Sequence, residues 1–225
     1  MSARSLSSST YDELLRRLLG GQLRPGQVFN RRQLAADLGV SVAPLLEALV
    51  LLECEGLIVT TPRKGTRVRA ITDRDVHGLQ VVREALECQA ARLACGQPIE
   101  KQATKLRRLA EELDTPAAQP AADARAVVRF HHAIVALAAV PALIDAYERI
   151  MKLHLLHAVH TPPTPRPAGK SFVALVEALQ THDPDKAEAA MRKHLQVEIG
   201  PANKADKTDK RPPNHRPMPP WLGEG

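Results

Sequence analysis

Aromatic side chains are scarce: one Trp, two Tyr and three Phe, 3% of the 225 residues. Proteins that hold single-stranded nucleic acid stack bases on several rings, so that mode of binding fits poorly. Cysteines number three, Cys54, Cys88 and Cys95, an odd count with no CxxC pair. That argues against a disulfide framework or a zinc ribbon, and each is expected as a small buried apolar residue. No apolar run approaches the ~20 residues that cross a bilayer. The polar, serine-rich N-terminus does not read as a signal peptide. A soluble protein of a reducing cytoplasm, with no membrane partner, is the expectation. HExxH, a nucleophile elbow and a glycine-rich phosphate loop are all missing. No catalytic residue, cofactor or metal ligand is therefore assigned, and the chain is read as a non-enzyme.

Charge points toward a polyanion. The net charge is +6 and the pI about 9.5. Residues 1–70 hold ten Lys/Arg against six Asp/Glu. Duplex DNA is the partner that suits a basic chain poor in aromatics.

The run from Asn30 to Leu49 carries the most information. Asn30 can cap a helix, with Gln33 completing a capping box. Leu34, Ala35 and Leu38 give that helix an apolar stripe, and Gly39 suits a left-handed terminus. Ser41 can cap a second helix whose first turn holds Pro44. Ala48, Leu49, Leu51 and Leu52 supply its buried face, and Glu55-Gly56 ends it. Two short helices around a glycine turn spell a helix-turn-helix, which sets one helix in the major groove of DNA. Upstream, Thr10 to Glu13 reads as a capping box opening a helix with Leu14, Leu15, Leu18 and Leu19 inward. Downstream, Leu57–Thr61 and Thr66–Arg69 are β-branched runs joined by Pro62-Arg63-Lys64-Gly65. Three helices and a hairpin with two cations at its tip make a winged domain.

These residues resemble the GntR family of transcriptional regulators. The likeness lies in Leu23-Arg24-Pro25-Gly26, in Leu34-Ala35 with Leu38-Gly39-Val40-Ser41, and in Pro44 with Glu47-Ala48-Leu49. Leu52 with Glu55-Gly56-Leu57 and Gly65-Thr66-Arg67-Val68 complete it over residues 10–70. Val82 to Glu87, Phe130-His131 and Met191 to Leu195 are similar to the FadR-type (FCD) ligand-binding domain over roughly residues 75–198. The resemblance implies a homodimer that binds double-stranded DNA as a repressor and answers to a small metabolite, with carboxylates the expected class. It also implies DNA contacts at Arg31, Arg32, Ser41, Val42, Ala43, Leu45, Arg63, Lys64 and Gly65. Val42 and Leu46 stand where the family usually has base-reading arginines. Apolar residues there can touch thymine methyls but cannot hydrogen-bond bases, so an A·T-leaning operator is expected.

The expected organisation is a leader over 1–9, a winged helix-turn-helix over 10–70, an all-α bundle of six helices over 72–199, and a disordered Pro/Lys-rich tail over 201–225. The fold class is mostly α. Seven of nine histidines fall between 131 and 194. In the related domains a metal is held by one aspartate and three histidines. Here Val127 and Phe172 occupy two of those positions and only His131 and His194 match, so no metal is expected. Arg83, His131 and His194 are the candidate effector-binding residues. For Arg83 the competing reading is an intrahelical pair with Glu87, four residues on. Two other functions are alternatives: a winged helix that binds protein through Val42, Leu45 and Leu46, and a metal-dependent hydrolase using the histidines.

Overall fold

The computed structural model describes residues 6–115, 120–162 and 171–199, the backbone alone at 120–123 and 197–199. The proline-rich stretches and the segment 201–225 fall largely or wholly outside these residues.

Three helices and a hairpin form the first unit: α1 (Leu6–Leu19), α2 (Arg31–Leu38), α3 (Val42–Cys54), β1 (Ile58–Thr61) and β2 (Gly65–Val68). Helical spacing puts Leu14 and Leu18 of α1, Leu34 of α2 and Leu45, Ala48, Leu49 and Leu52 of α3 into one core with Leu57, Ile58 and Val68. Fully burying each large aliphatic side chain stabilises by about 1.5–3 kcal/mol. The hairpin is antiparallel, Ile58 opposite Val68 and Thr61 opposite Gly65. A third segment joins it: Phe29 N–H donates to the Thr66 carbonyl, Val68 N–H to Gln27, and Gly26 N–H to Val68. This pairing of 26–29 with the hairpin has no counterpart in the sequence reading.

The helix starts differ from expectation in instructive ways. Helix α1 begins at Leu6, so residues 6–9, read as leader, are helical. Thr10 is interior, its hydroxyl bonded back to the Leu6 carbonyl at 2.7 Å instead of capping. Serines tolerate helix, and Thr10, at 4% exposed, takes an interior place in it. Asn30 does cap α2, its side chain accepting from the Arg32 and Gln33 amides. Gln33 completes no capping box but donates to Asp37. Gly39 adopts φ +66°, a left-handed conformation that a side chain would strain.

The second unit is wholly helical among the described residues: α4 (Asp73–Ala94), α5 (Gln97–Lys101), α6 (Ala103–Asp114), α7 (Pro120–Leu137), α8 (Pro141–Ala158), α9 (Phe172–Leu179) and α10 (Pro184–Ile199). The six expected helices are present, and α5 is an additional single turn. Thr72 caps α4 through a full capping box with Asp75. Helix α4 is the spine, packed by α7, α8 and α10. Phe130, Ile134, Phe172, Val176 and Met191 dominate the core. Of the cysteines, Cys88 is buried, Cys95 intermediate and Cys54 exposed, so the buried reading fails for Cys54 at the C-terminal end of α3. No single described helix is long and apolar enough to cross a membrane.

Candidate DNA interface and buried polar cluster

Helices α2 and α3 meet at 106°, within the usual range for a helix-turn-helix. The outward face of α3 carries Val42 (41% exposed), Leu46 (37%) and Val50 (58%) at i, i+4 and i+8, with Ala43 beside them. Leu45 does not belong to this face. It is 0% exposed and lies in the winged core, so its assignment as a DNA contact is corrected and Leu46 takes the outward place. Ser41 occupies the N-cap position, but its hydroxyl makes no capping bond. Arg32 is exposed, while Arg31 reaches across to the wing and donates to Thr66 Oγ1 at 2.9 Å. Arg63, Lys64 and Gly65 are exposed at the wing tip, where Arg63 and Gly65 both have positive φ. The Glu53 carboxylate accepts from the Thr60 amide and hydroxyl at 2.7 and 2.9 Å, locking the wing to α3.

Among the described residues the Arg125 guanidinium of α7 donates to the Leu19 carbonyl of α1 at 2.7 Å, and two larger connections tie this unit to the helical one. The first follows the chain. Arg69 pairs with Asp75 at 2.7 Å, and Ile71 and Leu79 pack on the winged core. Burial alone would push the Asp75 carboxyl up. Hydrogen bonds from Thr72 and the Arg69 charge outweigh it and hold Asp75 below the usual aspartate value. The second connection is a clasp made by α8. Leu153 and Leu156 are buried in the winged core. Lys152 Nζ lies 2.5 Å from Glu55 Oε1 and 2.9 Å from the Tyr11 hydroxyl, which itself donates to Glu55 Oε2 at 2.7 Å. The Arg149 guanidinium donates to the Cys54 carbonyl at the end of α3. Burial would lower the Lys152 pKa, but its bonds to Glu55 and Tyr11 raise it above the usual lysine value. The sequence offered Glu55 only as a helix terminator.

The candidate effector residues do come together. Arg83, His131 and His194 are all buried, and Glu87 joins them. Arg83 Nε donates to Glu87 Oε1 at 2.7 Å, and His131 Nδ1 lies 2.6 Å from Glu87 Oε2. The His131 and His194 rings are 5.4 Å apart. Phe172 packs edge-on to His194 at 4.8 Å and to Phe130 at 5.1 Å. The alternative reading of Arg83 is therefore present too, but as a buried ion pair and not a solvated one. Glu87, expected only as the intrahelical partner of Arg83, also faces His131. Among the described residues, no three His, Cys, Asp or Glu side chains are grouped to hold a metal ion. His157 turns to Thr161 instead, 3.1 Å from its hydroxyl.

A winged helix-turn-helix with a cationic tip, tied to an all-α domain with a polar cluster at its centre, defines a DNA-binding regulator with an effector domain. Comparison with known proteins agrees. The model of the gntR family of bacterial regulatory proteins matches residues 6–68, and that of the FCD domain matches residues 79–197. The chain belongs to the GntR family of transcriptional regulators, in the group that carries an FCD domain, and is not an enzyme. It is 29% identical over 195 residues to a protein of Paenarthrobacter nicotinovorans named "Probable D-xylose utilization operon transcriptional repressor", covering 85% of this chain and 86% of the relative. The HTH-type regulator YdhC of Bacillus subtilis is 34% identical over 104 residues, and the match spans about half of each chain, 46%. A GntR regulator of Rhodococcus sp. RHA1 shares the fold with TM-score 0.69 at 20% identity, covering 86% of this chain and 95% of that one. The protein-module and hydrolase readings are not favoured.

Proposed function

We propose that this regulator acts in the cytoplasm as a homodimeric repressor. The duplex is held by Arg32, Arg63, Lys64 and the Gly65 backbone on phosphates, and by Ser41, Val42 and Ala43 in the major groove. Arg31 serves by bracing the wing through Thr66. Half-sites would lie about one helical turn apart. Val82 and Leu93, with Val81 beside Val82, are exposed apolar residues near one line along α4 and offer a face for a second copy. Arg83, Glu87, His131 and His194 form the effector site, and a small carboxylate is the effector class.

Arg83 supplies the planar guanidinium with which a small carboxylate would pair. Effector binding alters DNA affinity only if it favours one placement of the winged domain over another. Helices α4 and α8 are the elements in position to transmit that preference. Tyr147 and Met151 of α8 pack with Ala90 of α4 and Val135 of α7, and one turn further α8 enters the winged core.

The observation that carries this reading is the clasp joining the end of α3 to the helical domain. The test is fluorescence anisotropy of a selected duplex, with and without a panel of small carboxylates identified by thermal shift. A ligand at about 100 times its Kd adds roughly 2.7 kcal/mol to stability, and one such ligand should change DNA affinity. A ligand that stabilises the fold through Arg83 or His194 yet leaves DNA affinity unchanged contradicts the coupling.

A further inference from the structure

We infer that α3 reads DNA through the C5-methyl group of pyrimidines, so that 5-methylcytosine substitutes for thymine in the operator. The inference rests on the DNA-binding reading above and names what the groove helix recognises.

From Val42 to Cys54 the helix runs VAPLLEALVLLEC, with no Arg, Lys, Asn, Gln, Ser or Thr. Apart from a thiol it has no side-chain donor. Guanine O6 and N7, adenine N7 and thymine O4 all require donors in the major groove, so no side chain of α3 other than that thiol can bind them. What it presents outward is an apolar ridge of Val42, Leu46 and Val50 spanning two turns, with exposed Glu47 beside it as an acceptor. Such a ridge on a soluble helix calls for an occupant. Charge complementarity selects the occupant. Exposed Arg32, Arg63, Lys64 and Arg67 belong to the same small domain, and a cationic surround suits phosphates. The apolar feature that duplex DNA offers in its major groove is the C5-methyl. Thymine carries it naturally, and cytosine carries it at the same ring position once methylated. Because the ridge makes no hydrogen bond to base edges, it does not distinguish the exocyclic groups that separate the two bases.

A methyl removed from water contributes about as much as a buried CH₂, which corresponds to roughly four-fold in affinity. Two contacts per half-site should therefore amount to at least ten-fold. The full chain is first used to select 30-bp duplexes from a random library. The selected duplex is then compared by anisotropy with versions carrying deoxyuridine for the half-site thymines, cytosine for them, and 5-methylcytosine for them. Deoxyuridine and cytosine should each weaken binding at least ten-fold, and 5-methylcytosine should restore most of it. Leu46→Ala, checked for an unchanged melting temperature, should weaken the thymine duplex while leaving the deoxyuridine duplex nearly as before. Equal binding of thymine and deoxyuridine duplexes overturns the inference but leaves DNA binding intact. If the Val42, Leu46 and Val50 alanine variants bind every duplex like the parent, the ridge serves a protein partner and the inference is likewise overturned. Failure to select any duplex overturns both this inference and the reading beneath it.

Discussion

Leu45 and Leu46 are neighbours with opposite fates. One faces the core and the other faces outward. Leu45→Ala should cost about 2–5 kcal/mol in a denaturant titration, the range for large-to-small core changes. Leu46→Ala should stay within about 0.5 kcal/mol, with its effect felt on DNA instead. The cysteines divide in the same way. Burial pushes the Cys88 thiol up to about 11, which leaves roughly one thiolate in a thousand at pH 8. Exposed Cys54 should therefore react with a thiol reagent in the folded protein, and Cys88 only after unfolding. Rapid labelling of Cys88 would show the helical core open. In the cluster, Glu87→Gln would leave the Arg83 charge buried without its counter-ion, a loss of about 3–5 kcal/mol. A variant as stable as the parent would show that the pair is not buried as described.

Elements succeed or fail on a different balance. The clasp of α8 predicts that Lys152→Met and Glu55→Gln are each destabilising and not additive, with a coupling of about 0.5–3 kcal/mol in a double-mutant cycle. Because the Lys152 pKa is raised in the fold, its contribution is complete below the ordinary lysine range and is lost only as pH climbs through the raised value. The clasp should thus be indifferent to pH between 6 and 9. Asp75 runs the other way. Its pKa is depressed, so its contribution is present above the ordinary aspartate range and disappears as pH falls through the lowered value. Thr72→Ala should cost about 1 kcal/mol at neutral pH. The elements themselves were legible where local signals agree. The Asn30 cap, the Gly39 terminus and the leucine spacing of α3 each specify the same helix-turn-helix. The start of α1 was not, because Thr10 has capping chemistry and only packing decides against it. Register errors on α3 have a similar cause: Leu51, expected on the buried face, is 49% exposed. The sequence of α3 is apolar nearly all round, so periodicity alone could not tell Leu45 from Leu46.

At the scale of the whole molecule, the two domains and their order were readable from motifs, but their joint was not. Lys152, Tyr11 and Glu55 lie 44 to 141 residues apart, and no local pattern links such positions. The gathering of Arg83, His131 and His194 came from family likeness; the part played by Glu87 needed the fold. Regulation by this protein depends on the winged domain gripping duplex DNA through its cationic tip. The most direct measurement is anisotropy of the full chain on its selected duplex across a salt series, beside the Arg63→Glu/Lys64→Glu variant. Affinity should fall steeply with salt for the parent. Loss of two phosphate contacts should make the slope of log affinity against log salt shallower by about two. A reversed tip that binds DNA as tightly and with the same salt slope, in protein of unchanged melting temperature, would contradict that dependence on the tip.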